Sequence, residues 1–292
     1  MKFDPVRRVS WPSAERQIQV ARFSLDSSVL PLVTETLPLA ESARRSVMGI
    51  YGRRFSQPDG SKAKSAIFAG KNETAQPLSG HGHAYYLPTD EDGDGRLDHL
   101  TVIASIGFGQ QELRTLDLLK EIKLRDEMRS RHPLRVLSLG LGRLDDYNCW
   151  PLRPSRTWVS VTPFLATRYP KRRGTKRDPE ELWNNRAAFL TAVLKEELAR
   201  LLQRRPDLQD LSLDAVGVRP LTDLSGVFRV GNLRPIQFRR FRQKADDDGG
   251  RRTSGSFQIT FPRPVKGPIC LGHSSHFGMG LFVPDASNDK TP

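Results

Sequence analysis

Apolar residues recur at three- and four-residue steps in three stretches and at two-residue steps in several shorter ones, which separates helices from strands along the chain. Ala40, Ala43, Val47, Ile50 and Tyr51 put one apolar face on a helix over 37–54, with Arg44, Arg45, Arg53 and Arg54 on or near its other side. Leu113, Leu116, Leu119 and Ile122 predict a second helix over 110–128, after the break at Gly107 and Gly109. Leu190, Leu194, Leu198 and Leu201 line a third, which ends at Pro206; Asp178 is its expected N-cap, with Pro179 in the first turn and Glu181 completing a capping box. Strand patterns run over 83–87 and 100–106, joined by an Asp- and Gly-rich turn, and over 134–141, 157–162 and 211–218. Phe257, Ile259 and Phe261 alternate strictly and, paired with 236–241 across the charged stretch RQKADDDGGRRTSG, predict a long hairpin with a charged tip.

Helices and strands mixed in this order give an α+β class, with sheets covered on one face by helices. Residues 1–75 read as an N-terminal leader followed by one helix, because 1–35 show only the short apolar pieces 18–23 and 29–33. The two prolines in NCWPLRPSRTW separate a unit at 76–150 from one at 151–284, and the polar tail 285–292 is expected to be disordered.

Charge narrows the partner. Lysine and arginine number 46 against 33 acidic residues in 292, a net charge of +13, which favours a polyanion and nucleic acid first. Only Cys149 and Cys270 are present, which excludes a disulfide framework or multi-cysteine zinc site and fits a reducing cytoplasm. No apolar run approaches a membrane span, and the first residues lack the apolar centre of a signal peptide.

The chemistry concentrates in SGHGHAYYLPTDEDGDGRLDHLTVIA, residues 79–104. His81 and His83 share one face if a strand begins at His81; two adjacent imidazoles bind zinc or supply a base and an acid near neutral pH. Zinc lacks further ligands at suitable spacing. His99 enters the second strand, where a two-residue offset across the hairpin brings it near the first, while His132 beside Pro133 reads as structural. Asp90, Asp92, Asp94 and Gly95 match the first half of a calcium loop, but Thr101 stands at the twelfth position, where a glutamate belongs. A solvated hairpin tip, or carboxylates orienting the histidines, are the other readings of that turn. Arg168, Lys171, Arg172, Arg173, Lys176 and Arg177 form one basic cluster, and Arg239, Arg240 and Arg242 interleave with Phe238 and Phe241 in another, offering cations for phosphates and rings for bases. Near the C-terminus, Gly272, Gly278 and Gly280 with His273, Ser274 and His276 form a glycine-lined bend that a phosphate backbone can approach closely.

Taken together, ARRSVMG, the 79–104 block, SVTPFLATRY and GPICLGHSSHFGMGLFVP resemble the Cas6-like part of the fused Cas5/Cas6 subunit of type I-G (formerly I-U) CRISPR systems, in the RAMP superfamily. The resemblance spans most of residues 18–284. It implies two ferredoxin-like, RRM-related domains in a prokaryotic cytoplasm, binding of CRISPR repeat RNA, cleavage of precursor transcripts, and retention of the guide in an interference complex with a Cas5-like portion and a backbone subunit. It also implies that the 272–280 bend lies against RNA. The pattern departs from the superfamily in lacking a histidine over 110–128, on a helix near which the catalytic one often stands, and the Cas5-like portion that full-length members carry before this region is expected to be missing or supplied by another chain. Within this reading, cleavage uses the RNA 2′-hydroxyl as nucleophile and needs no metal or other cofactor; His81 and His83 act as base and acid, with His99 as a further choice and Tyr85 or an arginine as transition-state donor. A non-catalytic RNA-binding scaffold is the alternative, and a metal-dependent nuclease built on Asp90, Asp92, Asp94 and Asp98 the second.

Overall fold

The computed structural model describes residues 17–56, 60–71, 82–124, 133–174, 177–243 and 246–285. His81, His132, Lys176 and the tail 286–292 lie outside the described residues. No helix among those described is long and apolar enough to cross a membrane.

Five strands and three helices form the first layer: β1 (Val20–Asp26), α1 (Thr36–Arg54), α2 (Ala66–Ala69), β2 (Tyr85–Thr89), β3 (His99–Ile103), α3 (Gln110–Asp117), β4 (Glu121–Ile122) and β5 (Leu134–Gly142). Their antiparallel sheet has the order β2-β3-β1-β5-β4. Residues 20–54 therefore do not form a leader ahead of the first unit. Ala21, Phe23 and Leu25 alternate inward on β1, the central strand, and pack with Leu37, Ala40, Ala43 and Val47 of α1 in the same core. That β1 reads weakly in sequence is understandable, since its other face carries Arg22 where an apolar or exposed residue would make the alternation plain. The helix expected over 110–128 stops at Asp117: the chain turns, and Ile122, the last of the apolar series, is buried from a short strand paired with β5.

The second layer contains β6 (Ser155–Ser160), β7 (Phe164–Leu165), α4 (Glu180–Asn184), α5 (Arg186–Arg204), β8 (Gly217–Pro220), β9 (Ser254–Gly255), β10 (Phe257–Val265), β11 (Ile269–Cys270) and β12 (Leu281–Pro284). Its main sheet has the order β11-β12-β6-β10-β8, with β7 and β9 paired separately. The expected hairpin between 236–241 and β10 does not form, because β10 is flanked by β6 and β8. Residues 235–237 make a 3-10 turn instead, and Phe238 is buried in the core of the first layer. The predicted helix start also moves. Asp178 bonds Arg168 and the Lys171 amide, while Asn185 interrupts the helical path and its side-chain oxygen accepts from the Ala188 N–H at 3.0 Å, capping α5.

Phe189, Leu190, Val193, Leu194 and Leu198 of α5 close over Trp158, Phe257, Ile259 and Phe261, so the periodic leucines and the alternating aromatics share one core. The opposite faces of the two sheets meet: Val20, Leu87 and Ile103 pack with Cys270, Leu281 and Val283. Within this seam Arg22, only 7% exposed, donates to Glu91 Oε2 at 2.6 Å, Thr101 Oγ1 at 3.2 Å and the Trp150 carbonyl at 3.3 Å, so its charge is both paired and hydrogen-bonded. The chain thus combines helices with two antiparallel main sheets, helices outside and sheet against sheet within.

The segment between β11 and β12 is drawn deep into this arrangement. Pro163 and Leu165 carbonyls accept from the Gly280 and His273 amides, and Thr162 Oγ1 donates to the Gly278 carbonyl at 2.6 Å. At Gly280 the backbone has φ +60°, and a Cβ there would overlap the Leu271 carbonyl oxygen. Gly93, in the acidic turn, has φ +80° but open space around it. Gly93→Ala should therefore cost only the left-handed conformation, about 1–2 kcal/mol, whereas Gly280→Ala should cost more than about 3 kcal/mol by adding a backbone clash. Urea unfolding of the two variants measures the difference, and equal losses would contradict this packing.

A candidate ribonucleic acid site at the glycine-lined bend

His83 lies just before β2, and Tyr85, two residues on, is the first residue of that strand. His276 arrives from the 3-10 turn Ser275–Phe277, inside the bend between β11 and β12. The His276 ring is sandwiched between them, with centroids 3.7 Å from His83 at 11° and 3.8 Å from Tyr85 at 21°. Two constraints produce this. Ser274 and Gly278 take left-handed backbone conformations that fold the turn back on itself, and Phe277, the next residue, is anchored in the core of the first layer. Anchoring Phe277 lays His276 along β2, where its Nδ1 is 3.4 Å from the Ala84 carbonyl.

Cations surround the anchor. The Arg242 guanidinium lies 4.2 Å from the Phe277 ring centroid, and that of Arg44 lies 5.9 Å away. Arg242 Nε donates to Glu41 Oε1 at 2.9 Å and the Gln243 amide to Glu41 Oε2 at 3.0 Å, so one buried carboxylate of α1 holds the 242–243 segment down. Arg44 donates to the carbonyls of Phe68 and Ala69, fixing α2. Gly70 follows α2, and a Cβ there would lie 2.9 Å from His83 Cδ2, so the glycine makes room for the imidazole.

Several polar atoms near this bend are buried without a hydrogen-bond partner: His83 Nδ1, the Tyr86 hydroxyl, His273 Nε2 and the Ser274 hydroxyl. His273 Nε2 stands 3.4 Å from Asp247 Oδ1, close enough for an ion pair but not aligned as a hydrogen bond. Buried polar groups are ordinarily satisfied, so such a concentration marks a place where stability has been given up. Burial, reinforced by Arg44, lowers the pKa of His83, and burial followed by Arg252 lowers that of His273. Burial pushes the Tyr85 and Tyr86 phenols up, keeping both protonated and able to donate.

The remaining sequence candidates fall elsewhere. His99 pairs across the sheet with Thr89, at the far end of β2 from Tyr85, and four residues of strand put it about 13 Å along the sheet. Its Nδ1 contacts Asp98 Oδ1 at 3.0 Å instead. Asp90, Asp92 and Asp98 bring carboxylate oxygens within 4.8 Å of one another, with Asp94 outside the group. Asp90 already accepts the Gly93 and Gly95 amides, Asp92 that of Asp94, and Asp98 that of Glu91, so the carboxylates shape the turn. Of the basic residues, Lys171, Arg172, Arg173 and Arg177 are exposed. Arg168 is internally engaged by Asp178 at 2.8 Å and Glu196 at 2.7 Å, hydrogen bonds that raise its pKa and hold Asp178 below the usual carboxylate range. Arg240 and Arg242 are likewise bonded to the chain itself. Gly272 and Gly278 serve close packing, against Leu165 and Phe164 in one case and Thr36 and Pro88 in the other. Arg44 and Glu41 were not singled out as site residues by the sequence, since on a helix they read as a solvated face.

No family model matches the sequence, and no curated protein matches it. Solved structures similar to it include one described as the characterization of a Cas6-related gene from Pyrococcus furiosus, with TM-score 0.42 and 12% identity, covering 93% of this chain and all of that one. A RAMP protein binding different RNA substrates superposes with TM-score 0.40 and 12% identity, over 91% and 98% of the two chains. A Cas6 in a substrate-mimic complex gives TM-score 0.38 and 15% identity, over 91% and 99%. Likeness at this level establishes neither family nor activity.

Proposed function

We propose that the chain binds CRISPR repeat RNA and cleaves the precursor transcript within the repeat, without a metal, at the His83–His276–Tyr85 stack. The observation that carries this reading is the stack itself: two imidazoles and a protonated phenol in contact, beside Arg44, in a chain of net charge +13. The strand orders support it. β1, β2, β3 and β5 stand in the order β2-β3-β1-β5 with α1 and α3 as crossovers, and β6, β8, β10 and β12 in the equivalent order, with the 271–280 bend where the second crossover helix would be. The first set follows the ferredoxin-like βαββαβ plan and the second shares its strand order without the second helix, which supports the tandem that the resemblance implies.

His83, held neutral by its surroundings, takes the proton of the 2′-hydroxyl. The 2′-oxygen attacks the adjacent phosphorus, and the P–O5′ bond breaks as His276 gives a proton to the departing oxygen. The products are a 2′,3′-cyclic phosphate and a 5′-hydroxyl. An imidazolium at His276 lies over the Tyr85 ring, a cation–π geometry. Arg44 and Arg242 supply positive potential for the phosphorane. Of the residues expected to act here, His83 stays, Tyr85 supports the His276 imidazolium instead of the transition state, His276 is the partner imidazole where His81 was expected, and His99 stands apart from the stack. The guide then stays on the basic surface, as expected of a subunit of a type I-G interference complex beside a Cas5-like portion and a backbone subunit.

Single-turnover cleavage of labelled repeat RNA tests the assignment. His83→Ala and His276→Ala should each lower the rate by about 10²–10⁴ while binding persists, and wild-type cleavage should continue in EDTA. Cleavage stopped by EDTA would transfer the activity to Asp90, Asp92 and Asp98; binding without any cleavage would leave a scaffold.

The depressed pKa of His83 also sets a pH dependence. As pH falls below about 6.5 the unfolded chain takes up a proton that folded His83 resists, so stability is present above that range and lost on acidification. The melting temperature should fall from pH 7 to pH 5, and less steeply in His83→Gln. Cleavage should hold its plateau to a lower pH than a free imidazole would allow; an unaltered pH slope in the variant would contradict the burial of this ring.

A further inference from the structure

A second feature lies away from the imidazole stack. A cleft of about 820 Å³ opens between the start of α5, the 226–228 and 234–236 turns, and residues 250–254. That volume is within the range of sites that hold ligands. Five of its sixteen lining residues are arginine, namely Arg186, Arg234, Arg240, Arg251 and Arg252, and none is acidic. Among the described residues, Arg252 alone of the five has a carboxylate partner, Asp248 at 2.7 Å.

The inner pair is the more telling. Arg186 donates to the Ser254 carbonyl at 2.7 Å and Arg240 to the Ser254 hydroxyl at 2.8 Å, so one residue holds two guanidinium groups side by side. Arg240 also donates to the Gly250 and Arg252 carbonyls. Neutral oxygens orient these groups but do not neutralise them, and burial together with Arg186 lowers the pKa of Arg240. Two like charges kept together without a carboxylate are costly unless an anion comes between them. Planar guanidinium forks suit the oxygens of phosphate. Phe241, 54% exposed, lies beside Gly250 at the margin, and Ile236, 72% exposed, stands on the rim, which gives bases a surface to lie on. The far wall is continuous with the glycine-lined bend, because Arg252 donates to the Ala166 carbonyl and adds its charge to the surroundings of His273.

We propose that this cleft is a second phosphate-binding site, which grips a single-stranded segment of the same RNA beyond the linkage held at the stack. It rests on the RNA-binding part of the proposed function but not on cleavage. Binding of the intact chain to labelled repeat RNA, measured across a salt series, tests it. Arg234 and Arg251 are exposed, and their side chains make no hydrogen bond or ion pair with another described residue, so Arg234→Ala/Arg251→Ala leaves the fold intact; Arg186→Ala/Arg240→Ala removes the inner pair, with its melting curve as control. Each double variant should lower the slope of log affinity against log salt by about 1.4, two phosphates at about 0.7 each for a single strand. RNA carrying 4-thiouridine in its single-stranded part should crosslink to the peptides containing Ile236 or Phe241. Unchanged slope and affinity in both variants, with RNA still cut by the wild type, would overturn the cleft and leave the cleavage site standing. Loss of cleavage in wild type with the slopes shifted as expected would do the reverse. Inorganic tripolyphosphate is the second probe: if it binds in an Arg186- and Arg240-dependent way while RNA affinity is indifferent to those residues, the cleft holds small polyphosphates and the RNA assignment fails.

Discussion

The seating of Phe277 and Met279 in the core of the first layer is the constraint on which the rest depends. Both belong to a bend that starts and ends in strands of the second layer, so this apolar insertion joins the seam of Val20, Leu87, Ile103, Cys270, Leu281 and Val283 in holding the two sheets face to face. His276 directly precedes these anchors and has little choice of position. The stack with His83 and Tyr85 is thus a by-product of core packing, which is how the proposed catalytic geometry gains rigidity without a dedicated scaffold. The Glu41 carboxylate, shared by Arg242 and Gln243, closes the same joint from the other side.

What the sequence disclosed and what it hid follow from the range of the forces involved. α1, the leucines of α5 and the alternating aromatics of β10 were legible because one local period decides which face is buried. β1 was missed because it buries a charge, and Arg22 reads as surface until Glu91, Thr101 and the Trp150 carbonyl are known to surround it. The 236–241 strand was misread because Phe238 and Phe241 look like an alternating pair, whereas one is buried in the first core and the other is exposed from a turn. The 110–128 helix was overextended because Ile122 continues the leucine series in number but enters the core from a strand.

Site residues show the same division. The two-residue spacing read for His81 and His83 also holds for His83 and Tyr85. No local pattern relates either to His276, which lies at the other end of the chain and is delivered by topology alone. The basic clusters were legible as charge but not as availability: Asp178 and Glu196, which occupy Arg168, and Glu41, which occupies Arg242, are remote or on another element. Arg186 and Arg234, conversely, stand in unremarkable surroundings in sequence and acquire meaning only when folding gathers them with Arg240 and leaves the carboxylates out.

The insertion of the bend carries a consequence for biosynthesis. The strand at Val20–Asp26 emerges from the ribosome long before Phe277 and Met279 do, yet its hydrophobic layer is incomplete without them. The nascent N-terminal half must therefore wait with an unfilled gap, and final closure becomes a late, long-range event of the kind that slows folding and exposes chains to misassembly. Closure of the first core is thus set by a bend made long after its first strand.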